Sequence, residues 1–137
     1  MVEQFVDGVE IAVTVVAGGD GPNALPAVEI VPRSGVFDYE SRYTAGLTTY
    51  YTPARLDDEV AKAASELALG AHRTLGLRDV SRTDAIATAD GVVHFLEVNV
   101  SPGLTETSLL PMAVQAAGLD LGGLYAGLVD RAVGRGA

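Results

Sequence analysis

The sequence predicts an α+β fold with a mainly antiparallel sheet and flanking helices. Four runs have the alternating or β-branched apolar residues that are typical of strands: 9–15, 26–31, 80–87 and 92–100. Two stretches, 57–75 and 121–132, have apolar residues at helical spacing. These elements do not alternate regularly, as they would in a parallel βαβ sheet. The 137 residues are enough for one domain with its own core.

The strand-like runs are predicted to pair as hairpins. A turn-rich segment over 17–23 separates the first two runs, and Asp90-Gly91 lies between the last two. After the second run, the alternation of apolar residues is lost over 32–53. This segment is therefore predicted to be a long ordered loop of the kind that often carries function.

Three helices are predicted. Asp57 or Asp58 begins the first, which ends at Gly76 and should pack on the sheet. Ser108 caps a short second helix that tolerates Pro111 in its first turn. The third helix covers 121–132, with Leu121, Leu124, Tyr125, Leu128 and Val129 on its packing face.

Charge and composition argue against several classes of partner. The formal net charge is −9 and Lys62 is the only lysine, so no basic surface is available to neutralise a nucleic-acid backbone. No run approaches the roughly 20 apolar residues that span a bilayer. We therefore expect a cytoplasmic protein that binds neither nucleic acid nor membrane.

Four polar side chains are predicted to converge on one face of the last hairpin. With Asp90-Gly91 at its tip, Asp84 faces Glu97 and Arg82 faces Asn99. Two opposed carboxylates about 5 Å apart repel each other, so a cation is expected between them. Carboxylate and amide oxygens suit Mg²⁺ or Mn²⁺. In the alternative interpretation, which the geometry alone leaves open, Arg82 neutralises both acids on a solvated face.

Three separated motifs resemble those of one enzyme family. Residues 97–111, Glu-Val-Asn-Val-Ser-Pro-Gly-Leu-Thr-Glu-Thr-Ser-Leu-Leu-Pro, resemble the signature that closes the active site of D-alanine:D-alanine ligases, and 81–84 resemble the preceding Arg-x-Asp strand. Residues 37–43, Phe-Asp-Tyr-Glu-Ser-Arg-Tyr, resemble the mobile loop over the substrates. Residues 1–10 are similar to the hinge strand of the family.

The resemblance implies that 1–137 form the C-terminal catalytic lobe of an ATP-grasp ligase. Such an enzyme joins two D-alanines through an acyl phosphate for peptidoglycan synthesis, and its cofactors are ATP and two Mg²⁺ (or Mn²⁺) ions. Asp84, Glu97 and Asn99 would hold the metals. Arg82 and the backbone N–H of Gly103 would stabilise the oxyanion. Without the resemblance, Gly103 belongs to an ordinary Ser-Pro-Gly turn.

Binding residues follow from the same resemblance. Ser108 and the N–H of Leu109 would bind the carboxylate of the second D-alanine, and Ser108 would otherwise be only a helix cap. Glu10 would bind the ribose hydroxyls, and would otherwise be a solvated strand residue. Tyr43 would cover the second-substrate site, while Arg42 stands beside it where lysine is usual. The backbone of four residues would contact adenine: Glu3, Gln4, Phe5 and Val6.

The resemblance covers only part of the family's enzyme. The N-terminal domain that binds the first D-alanine and the central lobe with its phosphate-binding lysines have no counterpart in the sequence. We expect these lobes to be partners of this chain, alongside ATP and D-alanine, and the full-length enzyme to be a homodimer. The chain alone is expected to have little or no ligase activity.

Two other functions are compatible with the sequence. The enzyme could use D-lactate or D-serine as second substrate, although Tyr43 argues against D-lactate. The chain could instead be a non-catalytic binding domain derived from the ATP-grasp fold. A structural domain would have no need of the six site residues, which argues against this: Arg82, Asp84, Glu97, Asn99, Gly103 and Ser108.

Overall fold

The computed structural model describes residues 2–33 and 46–136. The elements follow in this order: β1 Val9–Gly18, β2 Gly21–Ala24, β3 Val28–Pro32, β4 Thr48–Tyr51, α1 Asp58–Thr74, β5 Val80–Ala87, β6 Val93–Asn99, α2 Leu109–Ala116 and α3 Leu121–Gly136. The α+β class and the antiparallel sheet are confirmed.

Strand β1 is at the centre of the sheet. The strand order is β4-β3-β1-β5-β6, and β2 also pairs with β1. Every pairing is antiparallel. The second half of β1 pairs with β2, while its first half pairs with β3. The other edge of β1 pairs with β5 along eight residues, from Val9↔Ala87 to Val16↔Val80.

The first hairpin is tighter than the sequence predicts. Gly18 pairs with Gly21, so only Gly19 and Asp20 form the turn, and part of the predicted turn becomes β2. Gly21 has φ of +101°, a conformation that glycine adopts without a steric penalty. Residues 21–24 pair through their backbone and lack an apolar pattern, which is why the sequence did not indicate this strand.

The predicted loop over 32–53 contains a strand. Strand β4 pairs with β3, with Val31 opposite Thr49 and Glu29 opposite Tyr51. Threonine and tyrosine are strand-prone, but four residues are too few to establish a period. The prediction of a continuous loop is therefore wrong at 48–51. Residues 34–45 lie outside the described part of the chain.

Helices cover both faces of the sheet. On one face, Ile11, Val13 and Val15 pack with Ala64 and Ala68 of α1. On the other, residues of α2 form the second core with residues of β1 and β3: Leu110, Ala113 and Val114 with Ala12, Val28 and Ile30. The polar end of this second face is left uncovered by α2, and that is where the predicted site lies.

Helix α3 extends beyond its predicted end, to Gly136. Leu121, Leu124 and Tyr125 pack against the second core as expected. Val129 is 60% exposed, so its predicted place on the packing face is wrong. No single helix in the described residues is long and apolar enough to cross a membrane; α2 and α3 meet that test only together, by length and composition, and are bent by 115°.

Gly8 lies too close to β5 for any larger residue. A Cβ atom there would be 2.5 Å from the Ala87 carbonyl oxygen and 2.7 Å from Ile86 Cγ2. We predict that Gly8→Ala lowers the free energy of unfolding by about 1–3 kcal/mol, because backbone must move to relieve the overlap. The control is Gly70→Ala in α1, where nothing lies within 4 Å. It should stabilise by about 0.5–1 kcal/mol. Urea denaturation of both variants would measure this, and equal effects would contradict it.

His72 is buried under the sheet, and its Nδ1 lies 2.8 Å from Ser81 Oγ. Burial, assisted by the charge of Arg73, lowers the pKa of His72. The unfolded chain then binds a proton more readily than the folded chain. We predict that stability is full above about pH 6.5 and falls as the pH drops below that value. Thermal unfolding between pH 7.5 and pH 5 should show this drop, and His72→Gln should lose it. An unchanged slope in the variant would assign the effect to another group.

Candidate active site

The β5–β6 hairpin brings the predicted polar residues together. Asp84 is directly opposite Glu97, and Arg82 is opposite Asn99, as the sequence predicts. All four are on the same face, because directly opposed residues in an antiparallel pair point the same way. The predicted placement of the two carboxylates on one face of the hairpin is therefore confirmed.

The tip of this hairpin differs from the prediction. Ala87 pairs with Val93, so five residues form the connection, and this pairing is one residue out of the predicted register. A β-bulge next to Asp84 then inserts Leu96 as an extra residue in β6 and restores the predicted register for Asp84 and Glu97. The turn is held by Thr88, whose hydroxyl donates to the Asp90 carboxylate.

Arg82 and Asp84 form a two-armed ion pair. Arg82 Nε donates to Asp84 Oδ1 and Nη2 donates to Oδ2, both at 2.7 Å. The side chains are 12% and 11% exposed. Burial opposes the charge on Arg82, but the hydrogen bonds and charge of Asp84, with a contribution from Glu97, raise the pKa of Arg82 overall. The alternative interpretation, in which Arg82 neutralises both acids on a solvated face, thus holds in part. Arg82 neutralises Asp84, while Glu97 is exposed.

The donor set suits a hard divalent cation. Asp84 and Glu97 offer carboxylates and Asn99 an amide oxygen, which also accepts a hydrogen bond from the Ser101 N–H at 2.9 Å. The Arg82 guanidinium shows that Asp84 accommodates a positive charge here. No group of three or more His, Asp or Glu residues that could hold a metal occurs in the described ranges. A cation at this hairpin would therefore need further oxygen ligands, such as those of phosphate.

Gly103 and Ser108 are in contact. A Cβ atom on Gly103 would be only 2.6 Å from Ser108 Oγ, so glycine allows this approach. Ser108 occupies the N-cap position of α2 with an extended backbone, but its side chain makes no capping hydrogen bond. Its Oγ lies 2.8 Å from Thr105 Oγ1 instead. The predicted start of α2 is confirmed, and the predicted cap by the Ser108 side chain is wrong, since the hydroxyl is directed toward Thr105.

A cavity lies beside the polar face, near the first strand. It has a volume of about 410 Å³, and its lining includes Phe5, Val6 and Glu10 with Ile30 and Ile86. The structure therefore brings together three of the five residues predicted to bind the nucleotide. Phe5 is nonetheless 81% exposed, so the cavity is open on that side.

The remaining predicted residues are not gathered at this cavity. Glu3 and Gln4 are exposed and do not line it. Residues 2–7 form no strand, whereas the sequence resembles a hinge strand there. A strand needs a neighbour for its backbone hydrogen bonds, and the described sheet offers none to this segment. Arg42 and Tyr43 lie outside the described residues.

An ion pair beside the cavity was not predicted. Glu29 is 4% exposed and accepts hydrogen bonds from Arg55 Nε at 3.0 Å and from Nη2 at 2.6 Å. These bonds outweigh the effect of burial and hold the pKa of Glu29 below its usual value. Arg55 also lies over the Tyr51 ring, 3.6 Å from its centroid. The sequence feature that could have indicated this pair is Glu29 itself, a charged residue inside the apolar run 26–31.

Comparison with known proteins identifies the family. A family model described as "D-ala D-ala ligase C-terminus" matches residues 1–130. The chain belongs to this family. A D-alanine–D-alanine ligase from Pelotomaculum thermopropionicum is 40% identical over 133 residues, which are 97% of this chain and 42% of the relative. The chain thus spans about two fifths of the length of such relatives.

Solved D-Ala ligase structures share the fold. The D-alanine–D-alanine ligase from Bacillus anthracis complexed with ATP aligns over 93% of this chain and 39% of its own, with a TM-score of 0.73 and 25% identity. The VanG D-Ala:D-Ser ligase from Enterococcus faecalis aligns over 93% of this chain and 37% of its own, with a TM-score of 0.75 and 32% identity. The ATP-grasp fold follows from these similarities.

The Arg82–Asp84 pair should be important for stability. We predict that Asp84→Asn lowers the free energy of unfolding by about 3 kcal/mol, because it leaves the guanidinium of a largely buried pair without its counter-charge. The control, Glu66→Gln, weakens the exposed pair with Lys62, whose atoms are 3.8 Å apart. It should cost less than about 0.5 kcal/mol. Chemical denaturation of both variants would measure this, and a small effect of Asp84→Asn would contradict it.

Proposed function

We propose that this chain is the metal- and second-substrate-binding lobe of an ATP-dependent D-alanine:D-alanine ligase that serves peptidoglycan synthesis. Family membership supports this proposal. The observation that carries it is the direct pairing of Asp84 with Glu97 beside Arg82. Arg82 pairs with Asp84 only, so a divalent cation would relieve the remaining repulsion from Glu97, and phosphoryl transfer to a carboxylate uses such a cation.

In the proposed reaction, a carboxylate oxygen of the first D-alanine attacks the γ-phosphorus of ATP. The bond between that phosphorus and the β–γ bridging oxygen breaks, and ADP leaves. The amine of the second D-alanine then attacks the acyl carbon of the resulting acyl phosphate, loses a proton, and displaces inorganic phosphate. Two Mg²⁺ ions held by Asp84, Glu97 and Asn99 would neutralise phosphate charge when bound.

Arg82 and Gly103 are the proposed oxyanion donors. The tetrahedral centre formed by amine attack carries a negative oxygen, which a guanidinium and a backbone N–H stabilise. Arg82 adjoins the metal-ligand candidates, and Gly103 adjoins Ser108. Ser108 and the Leu109 N–H would hold the carboxylate of the second D-alanine at the start of α2. Tyr43 and Arg42, on the segment that resembles the mobile loop, are proposed to close over both.

The nucleotide would bind beside the first strand. The cavity next to Glu10 supports a ribose contact there, with adenine against the backbone of 3–6. The N-terminal and central lobes of the full-length enzyme would complete the site, and we propose that this enzyme is a cytoplasmic homodimer. The relatives' greater length supports the need for further lobes.

D-Ala:D-Ser ligation is a second candidate for the full-length enzyme. The likeness to the VanG D-Ala:D-Ser ligase supports it. The proposed donors, Ser108 and the Leu109 N–H, would bind a carboxylate group, which D-alanine and D-serine both have. Product analysis with each amino acid as second substrate would distinguish the two.

Calorimetric titration of the chain with ATP and Mg²⁺ tests the proposal. We predict that Glu97→Gln weakens binding at least about tenfold, because a ligand charge at the cation is lost. Glu97 is exposed, so this variant should fold normally. Asp84→Asn should also weaken binding, and Glu66→Gln on α1 is the control. Affinity unchanged in both site variants would favour a non-catalytic binding domain.

A further inference from the structure

One row of side chains crosses the sheet next to the acidic pair. The strand pairings align one residue from each of β4, β3, β1, β5 and β6: Tyr50, Ile30, Glu10, Ile86 and His94. Directly opposed residues point to the same face of a sheet, and Ile86 is two residues beyond Asp84 on β5. The whole row therefore lies on the face that carries the predicted site.

The two ends of this row differ in exposure. At the β4 end, Ile30 is 4% exposed and Tyr50 packs against the second core. At the β6 end, Ile86 is half-buried and His94 is exposed. Ile86 also lines the cavity of about 410 Å³ together with Glu10. The part of the row that a ligand can reach thus runs from Glu10 to His94.

This open part of the row suits a nucleoside. Neighbouring strands are about 4.8 Å apart, so Glu10 and His94, two strands apart, are separated by about 10 Å. Ile86 provides an apolar surface between them. In the proposed function the ribose is at Glu10, and the phosphates are at the acidic pair, one row or about 7 Å further along β5. The base then lies over Ile86, with His94 as the next side chain in the row.

The two histidines of the chain have different surroundings. His72 is buried on the other face of the sheet and contacts the Ser81 hydroxyl, so its place in the fold accounts for it. His94 is exposed beside an apolar surface. Nucleic-acid bases stack on aromatic side chains, histidine included. An exposed imidazole at this position is therefore available to a base.

We propose that His94 is a binding residue for the base of the nucleotide, and that its imidazole ring packs against the base that lies over Ile86. This inference rests on the proposed function, which places the ribose and the phosphates. Strand β6 would then contribute to both ends of the nucleotide, with His94 at the base and Glu97 at the cation that binds the phosphates.

Calorimetric titrations of the chain with two ligands, ATP and inorganic tripolyphosphate, each with Mg²⁺, test this. His94→Ala should weaken ATP binding about tenfold, as expected for the loss of one base contact, and should leave tripolyphosphate binding unchanged. His94→Phe keeps an aromatic ring and should bind ATP like the original. Phe95→Ala is the matched control, because this neighbouring ring is 46% exposed and lies on the opposite face of β6. It should leave both affinities unchanged.

NMR signals of the two histidine rings provide a direct measurement. ATP should shift the ring signals of His94, because the base has a ring current, and tripolyphosphate should not. The ring of His72 is an internal reference that neither ligand should shift. His94→Ala should also unfold at the same temperature as the original chain, because His94 is exposed. A lower unfolding temperature together with lost ATP binding would overturn the inference, since His94 would then support the hairpin.

Other binding results would overturn the inference with different consequences. Equal ATP affinity in His94→Ala and the original chain, or equal weakening of ATP and tripolyphosphate, would remove the base contact and leave the proposed cation site in place. Equal loss of ATP binding in His94→Ala and His94→Phe would exclude packing of the ring. An original chain that binds neither ligand would remove the cation site from the proposed function, and the base contact with it.

Discussion

The site depends on the position of β5 between β1 and β6. On one side β5 is fixed by its long pairing with β1, and on the other it aligns Arg82 and Asp84 with Asn99 and Glu97. The alternation of faces then divides its residues: Ser81, Thr83 and Ala85 are buried toward α1, while Arg82 and Asp84 face the other way. A slip of one residue would move both charged groups into the α1 core. The apolar packing thus enforces the register that the chemistry requires.

The same face of the sheet serves two purposes along its length. Near β3 it is apolar and covered by α2, and near β6 it carries the polar cluster. The loop that follows β6 connects them, because it leaves the cluster at Asn99 and returns to the sheet at the start of α2. Gly103 and Ser108 come together on this return path. The positions of the metal-ligand candidates and of the carboxylate donors are therefore coupled through eight residues of loop, 100–107.

Periodic features could be predicted from the sequence, and features set by single contacts could not. The pairing of Asp84 with Glu97 was predicted correctly, although the assumed turn was wrong, because the bulge at Leu96 compensates for the longer connection. Strand β4 was missed because four residues cannot establish a period. The extra length of α3 was missed because it is stabilised by tertiary ion pairs of Arg131 and Arg135 with Asp79, which no local pattern encodes.

The bulge at Leu96 also affects how the folded chain meets other chains. Within the described part of the sheet, β6 is one of the two border strands, opposite β4, and its Phe95 and Leu96 are 46% and 45% exposed. A regular apolar border strand of this kind is a template on which further chains stack into fibrils. The extra residue interrupts its row of backbone groups, and the neighbouring Glu97 adds a charge. The irregularity that aligns the acidic pair thus also interrupts the regular row of backbone groups on which another strand could pair.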